Sequence, residues 1–149
     1  TLPINFTANG HHISSLIFSV DYDQTWLTFD PTDSNGDGTP DAVTFNLPGA
    51  FDASVTFDGG DTDGELDFFI ADLFPPLASL SDGAIVSITL GVGSPLTTTE
   101  AAVNFSPDPA ASFGDTSGRS IPGTADNGSV LIGPTDTYGV YLPLLWKSR

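Results

Sequence analysis

The feature that most constrains the fold is a series of short segments in which apolar and polar residues alternate. Such alternation is typical of β-strands that bury one side. Gly, Pro, Asn and Asp residues separate the segments, as expected for turns between antiparallel strands, and no window has the period of a helix. The nine segments are residues 2–6, 16–22, 26–29, 43–47, 51–57, 66–71, 84–92, 101–105 and 130–132. They predict an all-β sandwich of about nine strands.

Two of these segments carry a more specific expectation. Residues 84–92 have the most regular alternation in the chain and predict a strand over that range. In residues 66–71 the positions between the apolar ones are also partly apolar, since they include Phe69 and Ala71. We therefore expect the strand at 66–71 to be covered on both faces.

The stretch after residue 32 has the pattern D-x-N-x-D-G-x-x-D, which is typical of a loop that binds calcium through oxygen ligands. Its ligand positions are Asp33, Asn35, Asp37, Thr39 through its backbone carbonyl, and Asp41. An EF-hand would continue to a bidentate Glu and a helix, whereas this chain has Thr44 and an alternating segment. We predict a calcium loop between two strands, with Asp30 and Asp52 as supplementary ligand candidates. The alternative is an Asx/Gly turn that binds no metal.

A second acidic cluster lies further along the chain and includes Asp58, Asp61, Asp63, Glu65 and Asp67. Asp61, Asp63 and Asp67 are candidates for a second calcium site. An ordinary hairpin turn with a solvated face explains the same residues.

Composition narrows the classes of function. The chain has 149 residues, which suits one domain, and a formal net charge of −16 with only three Lys and Arg residues. No basic patch can form, so nucleic acid and anionic membrane surfaces are excluded as partners. There is no Cys, and no apolar run approaches the roughly 20 residues of a bilayer span. The charge fits an extracellular protein whose carboxylates calcium partly neutralises.

Catalytic patterns are missing from the sequence. His11 and His12 are adjacent beside Asn9-Gly10, which indicates turn residues, and no nucleophile elbow or phosphate-binding glycine loop is present. A glycosidase would need two carboxylates placed about 5–10 Å apart in a cleft. We therefore predict a protein without enzymatic activity.

Four stretches in a fixed order point to a known family. They are residues 4–7 with 13–23, which end on Tyr22-Asp23; residues 64–72; residues 82–90, which begin D-G-x-hydrophobic; and residues 128–132. This order, over about residues 1–133, resembles the cohesin family, the receptor modules of cellulosome scaffolds and related bacterial surface proteins. The resemblance implies a jelly-roll β-sandwich without a catalytic site, at the cell surface, with a dockerin as the usual partner. The calcium loop is an insertion relative to the commonest cohesins, and no dockerin-contacting residue can be carried over.

The resemblance ends near Gly133, and residues 134–149 form an apolar C-terminal tail. On a strand, one side of the tail would carry Tyr138, Val140, Leu142, Leu144 and Trp146. An apolar face of this size is expected to be covered, either by its own domain or by addition as a strand to a neighbouring subunit. The chain also starts short of a usual cohesin first strand, which would leave an acceptor edge beside residues 2–6. A sorting signal is the remaining interpretation of the tail.

Three hypotheses about function follow. The first is a secreted, calcium-binding structural or adhesion module that assembles with itself into a filament by strand addition of the tail. The second is a cohesin receptor that binds a dockerin or another protein. The third is a carbohydrate-binding module with Trp26 or Phe74 in a shallow groove.

Overall fold

Fourteen β-strands and no helix make up the regular structure of the residues that the computed structural model describes, which are 1–58, 64–134 and 146–148. In chain order the strands are β1 (Leu2–Phe6), β2 (Ile13–Tyr22), β3 (Leu27–Phe29), β4 (Val43–Phe45), β5 (Asp52–Asp58), β6 (Glu65–Ala71), β7 (Gly83–Ile88), β8 (Leu90–Val92), β9 (Thr99–Phe105), β10 (Ser112–Asp115), β11 (Ser120–Ile121), β12 (Gly123–Ala125), β13 (Gly128–Ile132) and β14 (Trp146–Ser148). The predicted all-β class is confirmed, and each of the nine predicted segments contains a strand. The nine segments do not include β10, β11 and β12, and β14 begins at Trp146, the last residue of the apolar face predicted for the tail.

Strand β2 is the centre of the larger sheet. The strand order is β11-β10-β2-β6-β5, and β9 also pairs with β2 and carries β13 on its other edge. One edge of β2 pairs with β6 over residues 15–21. Strand β10 pairs with residues 13–17 of β2 and β9 with residues 20–22, all antiparallel. Three neighbours therefore fix the register of one ten-residue strand.

The second layer consists of smaller sheets, with the strand orders β1-β7-β4 and β3-β8. The alternating run at 84–92 is not one strand, because the backbone N–H of Thr89 donates to the carbonyl of Ala42 at 2.7 Å and the chain changes partners there. Strand β7 pairs with β1 and β4, while β8 pairs with β3. As a result Val92 is 40% exposed although it continues the apolar alternation.

The core fills the space between the two layers and is built around aromatic rings. Phe18 and Phe68 are fully buried and stack with ring centroids 4.9 Å apart. Phe45, from the smaller layer, meets Phe68 edge-on at 6.2 Å and so joins the two layers. Burial of each such side chain contributes about 1.5–3 kcal/mol, and an aromatic pair adds about 0.5–1.5 kcal/mol.

The expectation that β6 is covered on both faces is wrong at Phe69, although Ala71 on the same side is buried. Its inner residues Leu66, Phe68 and Ile70 are buried, but Phe69 on the other side is 37% exposed. Nothing in the described part of the chain covers Phe69 completely. The larger sheet therefore presents an outer face to solvent.

Of the predicted tail, residues 134 and 146–148 are among those described. Tyr138, Val140, Leu142 and Leu144 lie outside the described residues. Strand β14 pairs antiparallel with β12 of the same chain, with Trp146 opposite Ala125. It also comes close to β1, whose only strand partner among the described residues is β7. Over the described ranges no helical segment has the length and hydropathy of a bilayer span.

Candidate functional site

The outer face of the larger sheet has an apolar centre. Antiparallel register places four outward side chains in one row across the sheet, in the order Ser54, Phe69, Ile17 and Ser112. Ile17 is 40% exposed and Phe69 37%, and both sit on strands whose alternate residues form the core. Two neighbouring large apolar side chains in solvent, flanked by serines, are typical of a surface that contacts another molecule.

One end of the outer face is acidic. The register places Glu65 opposite Asp21, and Asp21 opposite Asn104 on β9. The next row towards the apolar centre pairs Asp67 with Ser19. The hydroxyl of Ser19 donates to the carboxylate of Asp67. Glu65 Oε1 is buried and has no hydrogen-bond partner within the described residues. A buried acceptor without a donor costs free energy, so a donor from another molecule would be favourable at this end of the face.

The environment of Asp67 is set by the loop between β9 and β10. The backbone N–H of Ser106 donates to the carbonyl of Ser19 at 3.0 Å, and Ser19 is completely buried although its side chain lies on the outer side of β2. Burial raises the pKa of the Asp67 carboxyl above its usual value, and the nearby charge of Asp108 raises the pKa further. Both effects disfavour the ionised carboxylate.

The other end of the outer face leads into an apolar tip, defined as residues 73–76, which follows β6. Leu73 is 54% and Phe74 75% exposed, and the tip continues with two exposed prolines. The buried Asp72 holds the tip in place, because its carboxylate accepts from the N–H groups of Phe74 at 3.1 Å and Ala78 at 2.6 Å. These bonds fix the loop on which the apolar side chains stand.

The predicted calcium loop lies between β3 and β4 and folds around Asp33. The Asp33 carboxylate accepts from the N–H groups of Gly36 and Gly38, both at 2.8 Å, and from Asp37 at 3.3 Å. These N–H groups, Gly38 first, hold the pKa of Asp33 below its usual range. Gly36 and Gly38 have φ angles of 74° and 87°, a conformation that favours glycine. The loop is therefore preformed around an ionised Asp33.

The structure brings some of the predicted ligands together and leaves others apart. Asn35 donates from Nδ2 to Asp37 Oδ2 at 3.0 Å, and Asp37 Oδ1 accepts from the N–H of Thr39 at 2.8 Å. The Asp41 carboxylate instead accepts from the Ser34 hydroxyl at 2.5 Å. In the described residues no three His, Asp or Glu side chains form a group that could hold a metal. The hydrogen bonds are those of an Asx turn.

The supplementary ligand candidates divide between two places. Asp30 accepts from the N–H and hydroxyl of Thr32 and, with Asp41, lines a groove of about 350 Å³ beside the loop. Asp52 lies on β5 opposite Ala71, on the larger sheet. In the second acidic cluster, Asp61 and Asp63 lie outside the described residues, while Asp67 is bonded to Ser19.

The candidate aromatic residues for sugar binding have different environments. Trp26 is partly buried and packs against the core, with the backbone at Gly93 close to its ring. Phe74 is exposed in the apolar tip. Neither of them lines the shallow groove at Glu100, Ala102 and Asn127 or the one at Tyr22 and Asp23.

Comparison with known proteins identifies the fold. A chain in the crystal structure of the sixth cohesin of Acetivibrio cellulolyticus scaffoldin B, in complex with a mutant Cel5 dockerin, is 24% identical over 87% of this chain and 85% of its own length, with a TM-score of 0.61. A chain of the CaDoc0917–CaCohA2 complex is 17% identical over 87% of this chain and 86% of its own, with a TM-score of 0.64. No family model and no curated protein matches the chain. The chain therefore has a cohesin-like fold, which confirms the resemblance at the level of structure.

The raised pKa of Asp67 has a testable consequence for stability. A carboxyl whose pKa is higher in the folded state stabilises the fold below its unfolded value of about 3.9, and this contribution is lost as the pH rises through the folded-state pKa. Asp67→Asn keeps an oxygen acceptor for Ser19 and carries no charge. We expect the variant to be more stable than the wild type at neutral pH and equally stable near pH 3, measured by urea unfolding.

Asp52→Asn, at an exposed position of the same sheet, is the matched control and should change stability little at either pH. A loss of stability in Asp67→Asn at both pH values would show that the Ser19 bond requires the carboxylate.

Proposed function

We propose that the chain is an extracellular receptor module that binds a dockerin-like protein through the outer face of its larger sheet. The single observation that carries the proposal is the exposed pair Ile17 and Phe69 at the centre of that face. The two similar solved structures are cohesin–dockerin complexes, which supports a protein partner of this class. In this proposal the chain acts by binding and has no catalytic centre.

The outer face has the composition of a protein-binding surface. An apolar centre surrounded by Ser54, Ser112 and Thr56 resembles the core and rim of a typical interface, where a few buried anchors supply most of the binding energy. Ile17 and Phe69 stand on strands paired along both edges, so their positions change little when a partner arrives. Little conformational entropy is then lost on binding.

Self-assembly by strand addition is the second candidate function, and one observation bears on it. Residues 146–148 of the tail pair with β12 of their own chain, which favours packing of this part within the subunit. Among the described residues β1 pairs with β7, and β14 of the same chain lies close to β1, so this strand gives the hypothesis no separate support. A receptor requires neither a donor tail nor an acceptor edge, and we therefore rank receptor function ahead of self-assembly.

We also propose that the loop at residues 33–41 binds calcium. Two observations support the fit: Asp33 is held ionised by three backbone N–H groups, and Asp30 and Asp41 line one groove beside the loop. Binding would replace the Asn35–Asp37 and Ser34–Asp41 hydrogen bonds by bonds to the cation. A bound calcium ion would stabilise the link between β3 and β4 and reduce the repulsion among its carboxylates.

The receptor proposal is tested by binding to a panel of dockerin modules that includes the Cel5 dockerin, measured by isothermal titration calorimetry. For any dockerin that binds, we expect Ile17→Asp and Phe69→Asp each to weaken affinity at least about tenfold, since a charge would be buried in an apolar contact. Leu96→Asp is the matched control, because Leu96 is 97% exposed in the loop after β8. An equal loss with Leu96→Asp, or no loss with the sheet variants, would place the contact elsewhere, and no binding by any dockerin would count against the class of partner.

The calcium proposal is tested by thermal unfolding in calcium and in chelator. Asp37→Ala removes a proposed ligand but keeps the Asp33 bonds that form the turn. Calcium at a hundred times its Kd should stabilise the wild type by about 2.7 kcal/mol, and the variant should lose most of this gain. If Asp37→Ala lowers the melting temperature equally in both conditions, the loop is only a turn.

The tail is tested by removing residues 138–149 and measuring the mass of the particle by light scattering. If the tail packs within its own subunit, both proteins should be monomers and the shortened one should be less stable, because the β12–β14 pairing is lost. Large assemblies that disappear on truncation would instead establish strand addition between subunits.

A further inference from the structure

The outer face differs in chemistry between its two ends. Along β6 the residues on the outer side run from Glu65 and Asp67 through Phe69 to Ala71, which is buried, and the chain then enters the apolar tip. Along β2 they run in the opposite direction, from Asp21 and Ser19 to Ile17 and Ser15. Both central strands therefore place their acids at one end, and the neighbouring β5 places one exposed acid, Asp52, at the other end opposite Ala71.

The two ends are far enough apart to contact different parts of one partner. Glu65 and Ala71 are six positions apart, which is about 20 Å along a strand. The tip extends the apolar end further. This distance matches about 13 residues of an α-helix at 1.5 Å per residue.

We infer that the outer face binds its protein partner in one direction, with an apolar end of the partner on the tip at residues 73–76 and a Lys- or Arg-bearing end beside Glu65, Asp21 and Asp67. The inference deepens the proposed function and depends on it only for the class of partner. It names the partner's chemistry at each end and the direction in which the partner lies.

The acidic end favours a cationic group for a physical reason. Glu65 Oε1 is buried without a hydrogen-bond partner among the described residues, and Asp67 lies within the electrostatic influence of Asp108. A Lys or Arg on the partner would offset this negative charge, whereas an apolar surface would remove water from it and increase its cost. The acidic end therefore selects against the reverse direction.

The tip favours an apolar contact for the complementary reason. Residues 73–80 contain no charged residue in a chain of net charge −16, and Phe74 is 75% exposed. The Asp72 bonds to the N–H groups of Phe74 and Ala78 order the loop before binding. The tip itself offers no carboxylate to a Lys or Arg, and the exposed acid near its base is Asp52, opposite Ala71. The partner's basic end is therefore less favoured there than beside Glu65, Asp21 and Asp67.

The experiment uses the ¹⁵N-labelled chain and two synthetic helical peptides of about 14 residues, which span about 21 Å. One peptide has a Leu-rich first half and a Lys-rich second half, and the other has the reverse order. Each carries a nitroxide label at one end or the other, and the broadening of backbone amide signals by NMR reports where that end lies. The peptides require no dockerin, so the result is independent of whether the receptor proposal holds.

We expect a label on the Leu-rich end to broaden the amides of residues 73, 74 and 77–80, and a label on the Lys-rich end to broaden those of Asp21, Glu65 and Asn104. The reversed peptide should show the same two contacts with its ends exchanged. Equal broadening by both labels, contacts centred on Leu96, or no binding at millimolar peptide would overturn the inference.

Two pairs of variants separate the ends. Phe74→Ser should weaken binding of the peptide at least about threefold, whereas Leu96→Ser should not. Glu65→Lys should weaken it more at low salt than at high salt, because the attraction is electrostatic, and Asp52→Lys should weaken it less. If the two variants of each pair lose the same affinity for the peptide, the inference is wrong. This outcome would leave the receptor proposal intact, since a dockerin could still bind the chain.

Discussion

Burial of one side of strand β2 is the constraint on which the rest of this structure depends. Leu16, Phe18 and Val20 are almost completely inaccessible to water, and a shift of register by one residue would move all of them to the surface. Three strands pair with β2, so its register determines theirs. The position of every outward residue on the larger sheet follows from this one choice.

The outer face is thus a consequence of the core. Because Phe18 and Phe68 must stack inside, Ile17 and Phe69 must stand outside as neighbours in the row. Their exposure costs free energy in the isolated chain, and a partner that covers them recovers it. The acidic end arises in the same way, since register alone aligns Glu65 with Asp21.

The strand segments could be predicted because each one carries several core residues at period two. Strands β10 and β12 could not, because β10 contributes only Phe113 to the core and β12 consists of Gly, Thr and Ala. Their conformation comes from pairing with distant strands, which leaves no local pattern. The separation of residues 84–92 into two strands could not be predicted for a related reason. The chain changes its pairing partner at Thr89, but the alternation of apolar and polar residues continues through that position.

The candidate site was less predictable than the fold. The Asx and glycine pattern at residues 33–41 correctly indicated a tight loop, but spacing alone does not determine whether the carboxylates converge on a cation or bond to the backbone. The sequence gives Phe69 the same hydrophobicity as Phe68, and only the sheet shows that one of them faces solvent. An apolar residue on both sides of a strand is the available signal, and it is equally compatible with a second covering layer and with an exposed contact surface.

Alternation on β2 and β6 also bears on how such domains can diversify in evolution. Substitutions at Ile17 or Phe69 leave their inward neighbours untouched, so the outer face can change over generations without a new core. Ser19 is the exception, because it lies on the outer side of β2 yet is buried beneath the loop that precedes β10. A change around the central row therefore alters the outer face alone, whereas a change at Ser19 or Asp67 alters the outer face and the folding of the sheet together.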